Sequence, residues 1–534
     1  MKLIRVAQFA LLALSVGAAQ AQDVSKVGVA YLSSQRISGQ ESVVVEGDSA
    51  FAWLAILVTI DVDGKVLDAT VSQNVAKADP KPALAAAREW IFRPQLFDGR
   101  PVQAVGTIHI SYRVPEIPAD PSVPFPEGSL NDTEIKLYRS SCLGACPDYT
   151  VSIGGDGTVR FSSGFDEDGQ KPFSSENIVW SGKHVAKVDP QAVAGLIERF
   201  RAAHFMGLRS DYTADVTDIP TYSLTLRVGK TTKSVIDYMG WQAGMPSDVN
   251  DLEDAVDVMA KSDRWVRGNA ETVALLKAQG FDFKSKDAAL LVLNGIRLNS
   301  WSRDRSAGGD LILSAVAEDL DLSHLVDIAA SEEPQEMTPI GVVITRYAAW
   351  SGNEPLFDEM TRRGQLARMS QQDLDDAFHA GAGCSVKIAK ALVASGANIN
   401  APMQDGNALH AVRFSDGDSP CAGLATDRHI EMIRTLIGLG IRFDVHDEFG
   451  QSPLIGVSDP DVVQILLAAG ADPNARDAKG TPAILATHDD RVAVLLLRAG
   501  ADPLAKNSEG NLSDRARKLH WPATIAWLQA RGIR

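Results

Sequence analysis

Residues 462–472 read VVQILLAAGAD, and residues 492–502 read VAVLLLRAGAD. The two segments lie 30 residues apart, and each combines an apolar helical pattern with a glycine where the helix should end. Gly450, Gly480 and Gly510 repeat with the same spacing. Such a period is typical of stacked helix pairs joined by turns, which bury their apolar faces only against neighbouring pairs. The carboxyl half is therefore predicted to be an all-α solenoid.

Three short motifs mark where the first helix of a repeat begins. Residues 452–454 read SPL, residues 481–482 read TP, and residues 408–411 read ALHA. With these motifs, residues 268–534 resemble ankyrin repeats, and the resemblance implies about seven or eight copies. It also implies that His410 hydrogen-bonds the backbone of a neighbouring repeat.

The repeat pattern weakens towards its start. The copies at 272–282, 341–364 and 385–400 are degenerate, and Gly396 and Gly440 are 44 residues apart. An insertion is therefore predicted at 414–426.

The resemblance implies a protein-binding scaffold. Ankyrin stacks present hairpin tips and first-helix faces as a concave surface that binds partners. The residues predicted to contact a protein partner lie at three tips: Asp447, Glu448, Phe449, Gln451, Ala478, Lys479, Lys506, Ser508 and Glu509.

The amino-terminal part shows a strand, strand, helix, strand pattern of an α+β fold. Apolar stretches at 52–60 and 66–71 flank Asp63-Gly64, which is a hairpin signal. Residues 82–90 carry one apolar helical face, and residues 105–114 alternate as a strand does.

Motifs within this pattern carry a second resemblance. The strings IDVDGKV at 60–66, AREWIFRP at 87–94 and GRPV at 99–102 make residues 40–114 resemble the C-terminal domain of TonB-type energy transducers. The resemblance implies binding by strand addition to an open sheet edge. Force transmission is not expected, because no spanning helix or proline-rich spacer precedes this segment; a fold that only packs on its neighbour is the alternative.

A second α+β domain is predicted at 131–266. The preceding segment, 115–130, has five prolines between 115 and 126 and forms a stiff linker. The strings CLGACPDY at 142–149, GDGTV at 155–159 and TDIPT at 217–221 make this domain resemble a bacterial domain family of unknown function.

Four cysteines are present: Cys142, Cys146, Cys384 and Cys421. Of the three possible connectivities, we favour Cys142 with Cys146 and Cys384 with Cys421, because each bond then stays inside one predicted domain. A zinc site is less favoured, since such a site needs further ligands. No metal and no cofactor is predicted.

The first 21 residues have the order of a cleaved export signal. Lys2 and Arg5 precede an apolar run, and Ala19-Gln20-Ala21 fits a cleavage site. The run is too short to span a bilayer, and no later run is long enough. The protein is therefore predicted to be periplasmic or secreted, without a transmembrane helix after cleavage. Its formal net charge of -16 disfavours nucleic acid as a partner.

A search for catalytic motifs favours a non-catalytic protein. The local signatures of serine hydrolases, penicillin-recognising enzymes and zincins are absent from the sequence. The segment Gly229-Lys230-Thr231 is predicted to be a hairpin turn rather than a phosphate loop. Asp211 and Asp218, near Tyr212 and Tyr222, could line a polar pocket. The alternative function is a cell-envelope enzyme, such as a thiol-disulfide protein that uses Cys142 and Cys146.

Overall fold

The computed structural model is a mixed α/β structure with three apolar cores, in the amino-terminal part, the central part and the helical carboxyl-terminal part. The residues it describes are 24–26, 32, 35–44, 53–74, 79–97, 100–143, 146–163, 177–300, 309–328, 337–381, 384–401, 406–412, 426–508 and 510–533. The predicted signal at 1–21 and most of the predicted insertion at 414–426 lie outside these residues. Within them, no helix is both long and apolar enough to cross a membrane.

The amino-terminal part is built on a five-stranded sheet. Its elements are β1 (Val24–Lys26), β2 (Arg36–Ser38), β3 (Ser42–Val44), β4 (Trp53–Ile60), β5 (Val66–Asn74), α1 (Lys81–Arg88), β6 (Ile91–Phe92), β7 (Leu96–Phe97), β8 (Arg100–Pro101) and β9 (Gln103–Arg113). Strand β9 pairs with β4 on one side and with β1 and β3 on the other, and β5 forms the outer edge next to β4.

The β4–β5 hairpin turns at the predicted position. The Asp61 carboxylate accepts hydrogen bonds from the backbone amides of Asp63 and Lys65, at 2.9 and 2.8 Å, which fixes the turn locally. The sheet differs from the prediction in one respect. The amino-terminal domain was predicted to begin at residue 40, but β1, at residues 24–26, also pairs with β9. A strand of three residues carries too little alternation to be recognised from sequence.

The central part contains a seven-stranded sheet in the order β13-β12-β11-β10-β15-β16-β14. Its strands are β10 (Thr133–Arg139), β11 (Tyr149–Gly154), β12 (Thr158–Ser163), β13 (Gly182–Lys187), β14 (Asp211–Thr213), β15 (Tyr222–Val228) and β16 (Thr231–Tyr238). All pairs are antiparallel except β14 with β16. Gly229, with φ of +58°, lies in the tight turn between β15 and β16, which confirms the predicted hairpin turn at 229–231.

Helices of the central part pack on this sheet. They are α2 (Pro190–Ala202), α3 (Ser247–Ala260) and the short α4 (Asp263–Val266). Helix α2 begins at Asp189, whose carboxylate caps the amide of Gln191, and buries Val193, Leu196, Ile197 and Phe200 at helical spacing. Helix α3 packs its apolar face against β10 and β11. Its carboxyl-terminal part lies next to β10, where Asp257 contacts Arg139.

The carboxyl-terminal part is mainly helical. Its helices are α5 (Ala270–Ala278), α6 (Lys286–Ser300), α7 (Gly309–Ala317), α8 (Ile340–Ser351), α9 (Glu354–Arg362), α10 (Gln371–Gly381), α11 (Val386–Ala394), α12 (Ala408–Val412), α13 (Thr426–Gly438), α14 (Pro460–Ala468), α15 (Ala483–Ala486), α16 (Asp490–Arg498), α17 (Leu512–Lys518) and α18 (Pro522–Gln529). Two short antiparallel strand pairs depart from the all-α prediction: β17 (Leu325–Asp327) with β18 (Met337–Pro339), and β19 (Lys506–Asn507) with β20 (Gly510–Asn511). One continuous apolar core runs from Val179 to Leu528.

Asparagine side chains tie consecutive helix pairs together. Asn474 Nδ2 donates to the carbonyl of Gly500, at 3.1 Å, and Asn474 Oδ1 accepts from the amide of Asp502, at 2.8 Å. Asn400 makes the same two bonds to Gly440 and Arg442. The same asparagine bridge therefore recurs between two different pairs of repeats.

The central part and the repeats share a boundary rather than a free linker. Backbone amides of Val179 and Trp180 donate to the carbonyls of Val266 and Trp265, each at 2.9 Å. Val179 packs in the repeat core, whereas Trp265 is buried in the central core. The two parts are thus fixed to each other at the predicted boundary near 266–268.

Candidate functional site

Two repeat tips have the same hydrogen-bonded turn. Asp447 Oδ1 accepts from the amides of Phe449 and Gln451, at 2.9 and 2.8 Å. Thirty residues later, Asp477 Oδ1 accepts from the amides of Lys479 and Thr481 over the same two distances. An aspartate carboxylate that bonds its own following backbone fixes such a turn without help from the core. The two tips therefore share one turn geometry although their exposed side chains differ.

The tips are in direct contact. The amide of Ala478 donates to the carbonyl of Phe449, at 3.1 Å. Gly450 has φ of +70°, and a β-carbon there would lie 2.6 Å from the Ala478 nitrogen, so the close approach requires glycine. His410 is buried and Nε2 donates to the carbonyl of Gln451, at 2.9 Å, which confirms its predicted role as a link between repeats.

The predicted contact residues differ in exposure. Phe449 is 65% exposed, and Glu448, Ala478, Lys479, Lys506 and Ser508 are also exposed. Asp447 and Gln451 are less exposed, since both are half-buried. The Asp447 carboxylate holds the turn, and the Gln451 carbonyl accepts the hydrogen bond from His410 of the neighbouring repeat. Glu509 lies outside the described residues. The tips thus offer an exposed aromatic ring with charged side chains beside it.

A second candidate site lies in the central part, around Arg139 at the end of β10. Its Nε donates to Asp257 on α3, at 2.8 Å, and its Nη2 lies 3.5 Å from Asp254. The guanidinium also stacks over the ring of Tyr222, 4.2 Å from the ring centre. On the other side, the Tyr149 hydroxyl lies 2.9 Å from both Asp257 oxygens. Arg139 is therefore held in one orientation from three directions.

These contacts determine the charge states of Arg139 and Tyr149. Burial raises the pKa of the Tyr149 hydroxyl well above its usual value, and the neighbouring Asp257 carboxylate raises it further. Burial alone would lower the pKa of Arg139, but the Asp257 carboxylate beside it raises that pKa overall. Arg139 therefore stays charged and Tyr149 stays a neutral donor.

Two of the motifs noted in the sequence converge here. Cys142 and Cys146 lie at disulfide distance, with their α-carbons 5.4 Å apart. The closed loop is fixed to the second motif through Ser140, since the amide of Thr221 donates to Ser140 Oγ, at 2.8 Å, and the Ser140 amide donates to the Thr221 carbonyl, at 2.9 Å. Chain segments that are about eighty residues apart in sequence thus form one wall.

A cleft of about 560 Å³ opens beside this wall. It is lined by Cys146 and Pro147, the end of β10, the starts of β11 and β15, the carboxyl-terminal part of α3 and the segment from Lys261 to Glu271. Of the four residues predicted to form a polar pocket, Tyr222 lines the cleft; Asp211, Asp218 and Tyr212 do not. Tyr212 is instead buried in the core, where the backbone amide of Arg209 donates to its hydroxyl, at 3.2 Å.

A buried acidic pair lies behind the cleft. Asn250 Nδ2 bridges Asp237, at 3.2 Å, and Glu253, at 3.5 Å. Burial, followed by the negative charge of Asp237, raises the pKa of Glu253 to about 8. Burial also raises the pKa of Asp237. At neutral pH, Glu253 is therefore mainly protonated.

The remaining predicted site residues concern the second cysteine pair and metals. Cys384 is disulfide-bonded, and Cys421 lies outside the described residues. Among the residues that the structure describes, no group of three His, Cys, Asp or Glu side chains is arranged to hold a metal ion.

Comparison with known proteins extends these observations. No curated protein matches the sequence. A crystal structure of an ankyrin repeat domain from Acinetobacter baumannii AYE is similar at 19% identity, over 35% of this chain and 97% of that chain, with a TM-score of 0.29. Residues 133–260 match the family model described as "Domain of unknown function (DUF6438)". The β10 to α3 region, including Arg139 and Asp257, lies within the residues that match this family model.

Proposed function

We propose that this protein works by binding another protein through the hairpin tips of its repeats, and that it is not an enzyme. The observation that carries the proposal is the recurrence of one turn geometry at 447–451 and 477–481, with the tips in direct contact. A repeated, rigid and solvent-facing edge costs little conformational entropy when a partner binds.

The chemistry of the tips indicates the kind of partner surface. Phe449 exposes most of its ring, and aromatic side chains, including phenylalanine, are enriched in the cores of protein interfaces. Glu448 lies beside it and Lys479 lies on the adjacent tip, so charged groups of both signs surround the ring. The matching surface would have an apolar pocket with a polar, mixed-charge border.

A site-specific photocrosslinker tests the proposal in intact cells. Placed at Phe449 or at Lys479, it should crosslink to one and the same protein. Placed at Gln464, an exposed position on α14 in the same repeat, it should not reach that protein. Phe449→Ser should abolish the crosslink from position 479. Equal crosslinking from all three positions, or none from the tips, would exclude the tips as the binding surface.

The proposed location is the periplasm, reached through the signal at 1–21. A cysteine pair at bonding distance fits an oxidising compartment. Fractionation of cells with an antibody to the full chain should give a processed protein in the periplasmic fraction. Recovery of the unprocessed chain from the cytosol would contradict the proposal.

Strand addition to the amino-terminal sheet is a second candidate, and one observation selects the edge. Among the strands that the structure describes, β5 is a nine-residue edge strand that pairs with β4 alone, whereas the opposite edge consists of the three-residue strands β1 and β3. Leu67 and Val71 of β5 are exposed, at 55% and 36%. Val71→Lys, which places a charge on that edge, should prevent peptide addition there. A partner that binds this variant as well as the wild type would exclude the β5 edge.

A further inference from the structure

We propose that the cleft beside the Cys142–Cys146 loop is a binding site for a short peptide that carries both a carboxylate and a basic group. This site is independent of the repeat tips. Part of its lining, including Cys146, Pro147 and Pro220, comes from two of the sequence motifs, and no step of the proposed protein binding uses it.

Arg139 provides the anchor for the carboxylate. Its Nε and Nη2 face Asp257 and Asp254, whereas its Nη1 forms no hydrogen bond with the residues that the structure describes. The Tyr222 hydroxyl, on the ring that stacks on the guanidinium, likewise has no such bond to the described residues. A guanidinium already held flat by an aromatic ring and a carboxylate loses little further entropy when it binds a planar anion.

The acidic residues of the cleft decide what else the ligand carries. The charged side chains that line it are Asp254, Asp257, Asp263, Glu271, Arg139, Lys261 and Arg267. Acidic groups are in excess, so an anion with two charges, such as a phosphate monoester, would meet repulsion as well as attraction. Asp254 is 81% exposed at the side of Arg139, in position to pair with a basic group of the ligand.

The size and the apolar surfaces of the cleft favour a peptide. A volume of about 560 Å³ falls in the range of small-ligand pockets and is too small for a folded domain. Pro147 and Pro220 form part of the lining, and Val258 on α3 is 77% exposed there. These surfaces can cover the apolar part of a peptide side chain while its charged ends reach Arg139 and Asp254.

The test uses the full chain and two libraries of random tetrapeptides, one with free carboxyl ends and one with amidated ends. Peptides retained by the immobilised protein are identified by mass spectrometry. The wild type should enrich peptides that have a free carboxylate and a Lys or Arg, about tenfold over the amidated library, as expected for one ion pair worth about 1.4 kcal/mol.

Variants separate the two ends of the ligand. Arg139→Lys keeps the charge but loses the planar group, and should remove the preference for a free carboxylate. Asp254→Asn should remove the preference for Lys or Arg. Asp248→Asn, an exposed aspartate on the same helix that does not line the cleft, is the matched control and should leave both preferences unchanged.

Several results would overturn the proposal: no enrichment by the wild type, equal retention of the amidated peptides, or unchanged preferences in Asp254→Asn. Asp254 is exposed, so this variant stays informative even if Arg139→Lys lowers the stability of the domain. Phe449→Ser should leave peptide enrichment intact, which distinguishes a failure of this site from a failure of the repeat tips.

Discussion

Arg491 Nη1 donates a hydrogen bond to the backbone carbonyl of Leu96, at 3.3 Å, and so joins the last repeats to the amino-terminal sheet. Arg491 is buried and forms an ion pair with Asp489, at 2.7 Å, in which both side chains are almost fully buried. Strand β1 contacts both α16 and α18. The two ends of the described chain are thus packed against each other.

Comparison of two equivalent helices shows that this contact is specific to the last repeats. In α14, Asp461 and Gln464 are exposed, as the outer face of a repeat should be. Thirty residues later in α16, Arg491 and Val494 occupy the same positions and are buried. The change from Gln to Val fits a face that is covered by protein rather than by water.

Val494→Gln should loosen this packing. A buried amide without a partner costs about 1–3 kcal/mol in mutational data, and Val494 is 3% exposed. We expect a lower unfolding temperature and faster hydrogen exchange at 24–26, measured by mass spectrometry. Gln464→Ala, at the equivalent exposed position, should change neither quantity. Unchanged exchange at 24–26 in Val494→Gln would mean that the contact does not form in solution.

Glu253→Gln should remove a pH dependence of stability. In the unfolded chain Glu253 ionises near the ordinary glutamate pKa of 4.5, whereas the folded protein keeps the proton until the pH reaches its raised pKa of about 8. The folded state therefore binds more protons between these values, and wild-type stability must fall as pH rises through that window. The variant should unfold at a higher temperature than the wild type at pH 8.5, with little difference at pH 4. Asp248→Asn, an exposed aspartate on the same helix, is the control. A pH profile of Glu253→Gln that matches the wild type would contradict the raised pKa of Glu253.

Asn474→Ala should weaken the stacking of repeats. Both of its hydrogen bonds to the next repeat would be lost, at about 0.5–1.5 kcal/mol each. Asp444 stands at the equivalent position one repeat earlier, and its carboxylate pairs with Arg442, an exposed neighbour. Asp444→Ala should therefore destabilise the protein less than Asn474→Ala does. Urea denaturation of both variants measures the difference, and equal losses would show that the asparagine bridge contributes nothing.

Replacing Cys142 and Cys146 together by serine should lower stability without abolishing folding. Closing a loop this short contributes about 2 kcal/mol in the chain-entropy estimate. If the bond is structural, mild reductant should release no thiol from the native protein, while the denatured protein should release it readily. Rapid reduction of the native protein, together with catalysis of disulfide exchange, would instead favour the thiol-disulfide alternative.

Local signals in the sequence were sufficient for much of the fold. The turn at Gly229 has a glycine at positive φ between two alternating strands. The helix ends at Gly470 and Gly500 likewise have a glycine at positive φ. Helix α3 was missed although Val249, Leu252, Val256 and Ala260 lie on one face, because its many aspartates resemble a loop. Strand β13 was missed because its exposed and half-buried residues alternate without an apolar face.

The cleft could not be found in this way. Arg139 and Asp257 are 118 residues apart, and they meet only because β10 lies in the middle of the sheet with α3 packed beside it. The residue pattern within a single strand or helix cannot predict a contact of this kind. The burial of Val494 does leave a signal in the sequence, since a valine stands where the preceding repeat has a glutamine. This signal appears only when residues 464 and 494 are aligned by the 30-residue period.

The position of β1 changes how the repeats should melt. A linear array usually frays from its ends, because a terminal unit has only one neighbour. Here the strand from the start of the chain gives α16 and α18 a second neighbour. Loss of the amino-terminal sheet and opening of the final helices should then be one cooperative event, and fraying should begin among the interior repeats instead.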